Sequence, residues 1–205
     1  MNAALARLFR AGRFSLLAIL LGVSLAGCGV NTIPTLEEAA KAKWSQVLNQ
    51  YQRRADLIPN LVETVKGYAA HERQVLEEVT AARAKATSTT LSVPADVLTN
   101  PEAFKRFQEA QAALTGALSR LLAVSERYPD LKANQNFLAL QSQLEGTENR
   151  ISVARRDYIE AVQAYNTELK TFPGVIWAST LYKSNKPMET FTIAEETKRP
   201  PAVKF

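Results

Sequence analysis

The sequence predicts an all-α protein, an antiparallel up-and-down four-helix bundle of long helices. Three observations carry that expectation. Glycine and proline are few, 8 and 9 in 205 residues, and they gather at the ends of apolar stripes. Apolar residues recur at alternating spacings of three and four over runs far longer than a strand. A Tyr-Pro-Asp connection at residues 128–130 is short enough to make the helices on either side antiparallel neighbours. No strand pairing and no long-period repeat is evident.

Taken in order, the chain opens with Arg7, Arg10 and Arg13 and then an apolar run, Phe14 to Gly27. Fourteen helical residues reach only ~21 Å, short of a ~30 Å hydrocarbon core. A short apolar region behind positive charge reads as a signal peptide over residues 1–27. It ends in Leu25-Ala26-Gly27-Cys28, a lipobox-like sequence: small residues suit a peptidase cleft, and the Cys28 thiol can accept diacylglycerol. Residues 28–34 then form a lipidated tether, residues 35–173 the bundle, and residues 174–205 a C-terminal segment and tail. An uncleaved inner-membrane helix is the alternative.

Thr35 with Glu38 forms a capping box. The stripe that follows is Trp44, Leu48, Tyr51, Ala55, Ile58, Val62, Val65, Ala69, Glu72, Leu76 and Val79. It stays in phase across Pro59, so one helix kinked at Pro59, or two collinear ones, is expected over residues 36–86. Pro59 frees the carbonyl of Ala55, which Asn60 or a side chain from another helix must satisfy. Residues 87–99 are expected to be a loop. Asn100 caps a helix with Pro101 at its first position and a stripe of Phe104, Phe107, Gln111, Leu114, Leu118 and Leu121. The last long helix is expected from Leu131 to Thr171, ending at Phe172-Pro173-Gly174. A short apolar segment with Val175, Ile176, Trp177, Leu181 and Tyr182 leads into an extended tail. Leu48, Ile58, Val65, Leu114, Leu121, Leu140, Leu144 and Ile151 are the expected core.

Several long motifs resemble the LemA family. They are the segment from Gln52 through Arg53, Arg54, Asp56, Pro59 and Asn60 to Val62, the segment Thr64 to Glu72, and Val79 to Arg83. Tyr128 to Asn134, Asn136-Phe137, Gln143 to Ile151 and Ala154 to Arg156 match as well, so the likeness spans about residues 40–175. The resemblance implies an antiparallel four-helix bundle held at a membrane, and it implies no reaction. Two departures matter. Many members keep an uncleaved membrane helix where this chain has a lipobox. The family favours Tyr-Asn near the centre of the last helix, where this chain has Tyr158-Ile159; Tyr165-Asn166 matches the later copy.

The inventory for catalysis is thin. One histidine, His71, cannot build a histidine metal site, and the single cysteine, Cys28, is committed to lipid. No glycine-rich phosphate loop is present. Without residues 1–27 the chain carries 22 basic against 20 acidic residues, which removes the electrostatic case for nucleic acid. No cofactor is implied. Glu145 and Glu148 share a helical face and are the one candidate acid–base pair, with interhelical ion pairing as the plainer reading. The expected role is therefore a non-catalytic envelope adaptor or scaffold bound to an envelope protein, with Arg53, Arg54, Asp56, Pro59, Asn60, Glu145, Glu148 and Asn149 as partner-contact or structural residues. A hydrolase using Glu145 and Glu148 and a carrier of apolar ligands are the alternatives. Export to the periplasmic face is expected. Gly29 after Cys28 favours the outer membrane if the source has two.

Overall fold

The computed structural model describes residues 29–91 and 96–191. The expected signal peptide and Cys28 lie outside them. The helices are α1 (Thr32–Tyr68), α2 (Arg73–Leu91), α3 (Pro101–Ser125), α4 (Pro129–Lys132), α5 (Gln135–Glu168) and α6 (Gly174–Thr180), with a 3₁₀ turn at Val97–Thr99. The fold is all-α, with α1, α2, α3 and α5 forming an antiparallel bundle. Among the described residues no helix is long and apolar enough to cross a membrane.

Caps explain most helix ends. Asn100 accepts a hydrogen bond from the Ala103 amide at 3.2 Å, and Asn134 accepts one from the Phe137 amide at 3.0 Å. The expected Thr35 cap is displaced. The helix already begins at Thr32, and the Thr35 hydroxyl instead donates back to the Asn31 carbonyl at 2.7 Å.

The larger departure is at residues 69–72. The continuous helix expected over residues 36–86 is two antiparallel helices joined by a tight turn, closed by the Glu72 amide on the Ala69 carbonyl at 3.0 Å. The stripe reads through this turn because both helices face one core. Glu72, the one charged residue on that stripe, marks the break. It accepts from Arg127 at 2.9 Å and from Tyr128 at 3.1 Å, tying the turn to the end of α3.

Helix α2 also runs to Leu91, through the expected loop. Ser88, Thr89 and Thr90 turn their hydroxyls onto the carbonyls of Lys85 and Ala86, satisfying themselves inside the helix. The last long helix is likewise split. Pro129–Lys132 makes a separate turn before Asn134 restarts the chain as α5.

Two apolar clusters fill the bundle. One gathers Trp44, Phe104, Phe107, Tyr158 and Phe191, with ring centroids 5.0–6.4 Å apart. The other gathers Ile58, Val65, Leu114, Leu121 and Leu144. Six of the eight expected core residues are buried; Leu48 and Leu140 are only partly so, and Val47 holds the buried place beside Leu48. Gly67 and Gly146 face open space and make no close helix contact.

Candidate functional site

Between the two apolar clusters lies a polar layer built on Arg54. Helix α1 points Tyr51, Arg54 and Ile58 inward at helical spacing, so a charged group is carried into the core with its neighbours. Arg54 is 1% exposed. Burying a guanidinium is costly unless it is paired and hydrogen-bonded. Here Nη1 donates to Glu148 Oε1 at 2.9 Å and to Thr115 Oγ1 at 3.0 Å. Nη2 donates to Gln111 Oε1 at 2.7 Å. The Gln111 amide donates onward to Thr90 Oγ1 at 3.1 Å, and Thr115 donates to the Gln111 carbonyl at 3.0 Å. One residue set thus links α1, α2, α3 and α5. The guanidinium also lies 5.0 Å from the Tyr51 ring centroid.

A second bond crosses the bundle where Pro59 breaks the α1 ladder. The freed Ala55 carbonyl accepts from Arg83 Nε of α2 at 2.7 Å. An unpaired carbonyl at such a partly buried site would cost about 1–3 kcal/mol. Asn60, the other residue considered for this duty, is exposed, and its own carbonyl accepts from Thr64 at 2.8 Å.

The remaining sequence candidates scatter. Arg53, Asp56, Pro59, Asn60, Glu145 and Asn149 are exposed. Asp56 accepts from Gln52 at 2.8 Å, and Glu145 accepts from Gln141 at 3.0 Å. Glu145 and Glu148 therefore serve different partners, and only Glu148 joins Arg54. His71 sits exposed in the α1–α2 turn, and no cluster of metal-ligating side chains forms among the described residues. Gln111, Thr115, Thr90 and Arg83 are site residues that the sequence motifs do not mark as such. Gln111 gave the one available signal, a polar side chain on an apolar stripe.

An open groove of about 830 Å³ runs between α3 and α5 over this layer. Tyr51 and Arg54 form its floor, Lys105, Gln108 and Glu109 one wall, and Ser152 and Arg155 the other. Burial raises the Tyr51 phenol above its ordinary value, against the opposing pull of Arg155 and Arg54. Phe191 closes one end with the Arg155 guanidinium 4.3 Å from its ring centroid.

The segment leading to Phe191 is held through its backbone. Tyr165 donates to the Lys186 carbonyl at 3.3 Å, and Tyr158 donates to the Glu189 carbonyl at 2.8 Å. The Asn166 side-chain amide pairs with both main-chain groups of Met188, at 2.8 and 2.9 Å. Burial raises the phenols of Tyr158 and Tyr165.

Comparison with known proteins agrees with this architecture. The profile of the LemA family matches residues 43–205. Magnetosome proteins MamQ 2 and MamQ 1 of Paramagnetospirillum magneticum (strain ATCC 700264 / AMB-1) are each 27% identical to the chain over 157 residues, covering 70% of it and 58% of their own length. Magnetosome protein MamQ of Magnetospirillum gryphiswaldense (strain DSM 6361 / JCM 21280 / NBRC 15271 / MSR-1) is 25% identical over the same coverage. The chain thus spans less than two thirds of these relatives.

Proposed function

Because the chain belongs to the LemA family, we propose that it is a membrane-anchored, non-catalytic adaptor of the cell envelope. Lipid on Cys28 holds it at the membrane, on the periplasmic side, and at the outer membrane where the source has two. A protein partner binds along the groove between α3 and α5.

The observation that carries this reading is the engagement of Glu148. Its carboxylate is bonded to a guanidinium that is itself almost fully buried, while Glu145 bonds to Gln141 on the exposed face. Among the described residues, Glu145 and Glu148 are each engaged by a different partner rather than turned together as an acid and a base. An apolar-ligand carrier is disfavoured because aromatic side chains fill the core at the groove end.

The test joins anchor and site. Mass spectrometry of the mature protein should find an acylated Cys28 and none of residues 1–27, and Cys28→Ser should release the bundle from the membrane. In a deletion strain, the Glu145→Gln/Glu148→Gln protein should fold, anchor and complement. A folded, anchored protein that still captures its envelope partner but fails to complement would sink the adaptor reading in favour of acid–base chemistry.

A further inference from the structure

We infer that residues 172–181 form an apolar foot that seats on the lipid surface beside the anchor. This rests on the membrane-anchored part of the proposed function and adds a second, non-covalent contact with the bilayer.

Seven large apolar side chains are exposed among the described residues, and four of them fall within this ten-residue segment. Phe172 is 80% exposed and Leu181 63%, with Val175 and Ile176 at 41% and 45%. The other three, Tyr68, Leu138 and Val153, stand singly on α1 and α5. Single exposed apolar residues are ordinary, whereas a cluster implies something that covers it.

The segment is firmly held. Trp177, Ala178 and Tyr182 pack against the aromatic cluster from the inside, leaving Phe172, Val175, Ile176 and Leu181 outward. Gly174 permits this fold. A methyl group there would strike the carbonyl and carboxylate of Glu168, so only glycine lets α6 turn back against the end of α5.

Position and charge choose the occupant. Gly29 follows Cys28 directly, and a Cβ placed on it would sit 3.5 Å from Pro173 Cγ. The described chain therefore leaves Cys28, the lipid-bearing residue of the proposed function, beside this foot. Residues 169–186 carry Lys170, Lys183 and Lys186 and no acid. All three lysines are exposed, and none forms an ion pair among the described residues. Outward apolar side chains, aromatic residues at their edge and three exposed lysines outside any ion pair among the described residues match an anionic bilayer interface, although Glu168 and Glu37 also touch the segment.

The experiment uses the full chain reconstituted in vesicles of phosphatidylcholine and phosphatidylglycerol, with lipids brominated along the acyl chain as quenchers. Phe172→Trp and Ile176→Trp are compared with Leu138→Trp, and the wild type gives the background of Trp44 and Trp177. The added emission at positions 172 and 176 should be largely lost to quenching, while that at 138 stays. Replacing phosphatidylglycerol with phosphatidylcholine should weaken the loss. Equal quenching at 172 and 138, in protein that floats with the vesicles, overturns the foot while leaving the anchor intact. Unquenched emission together with a dimer that Phe172→Asp dissolves overturns it in favour of a second copy. Protein that does not float at all removes both the anchor and the foot.

Discussion

At the scale of single residues, Arg54 and Glu148 are bonded to each other but unequal. The guanidinium is 2% exposed, the carboxylate 39%. Glu148→Ala strands a buried cation and should cost about 3–5 kcal/mol, the range for breaking a buried pair from one side. Arg54→Met leaves a carboxylate that water can reach and a buried Gln111 short of one donor, for a loss of about 1–3 kcal/mol. Urea denaturation of both variants checks the order; a larger loss for Arg54→Met would mean that Glu148 is the poorly solvated partner. The sequence points Glu145 and Glu148 to interhelical ion pairing, yet does not say which carboxylate meets which cation. Ninety-four residues separate Arg54 from Glu148, and only the antiparallel pairing of α1 with α5 brings them together. Thr115 is hidden for the same reason, since what makes it matter is the charge placed opposite, while Gln111 shows only as a polar position on an apolar stripe.

At the scale of elements, the segment at residues 186–191 is the least legible part of the fold. It has no periodicity, and its order comes from bonds to its backbone. Asn166 supplies both a donor and an acceptor to Met188. Asn166→Asp keeps the shape but sets a carboxylate against the Met188 carbonyl. Hydrogen exchange should then quicken across residues 186–191, with a local loss of about 1–3 kcal/mol, while α1 and α5 keep their protection. Unchanged exchange there would mean that Phe191 alone holds the tail. Helix existence was far more legible, because Asn100-Pro101 and Tyr128-Pro129 punctuate the chain by local chemistry alone. The 69–72 turn was not, since neither Gly67 nor the alanines after it interrupt the stripe.

At the scale of the whole molecule, three buried phenols set an alkaline limit. Tyr51, Tyr158 and Tyr165 are each pushed above the ordinary value of 10.0, burial being the largest cause. The folded state thus holds these protons more tightly than the unfolded chain. Their contribution is complete below pH 10 and is lost as pH rises through the higher folded values. The denaturation midpoint should be level from pH 7 to about 9 and fall beyond about 10, the free-phenol range. A Tyr158→Phe variant should fall less steeply, at the cost of its bond to the Glu189 carbonyl. A midpoint that stays level well above that range would mean that these phenols ionise as easily folded as free.

The length of α1 has a consequence for reach. Its 37 residues extend about 55 Å at ~1.5 Å per residue. With the foot at the N-terminal end of that rod, Arg54 stands roughly 33 Å along it by the same rise. On the proposed anchoring, a bundle standing upright on its foot would act as a spacer and hold its groove well clear of the headgroups. A partner confined to the bilayer plane would then fall short of that height, whereas one that itself projects into the surrounding space would meet the groove side-on.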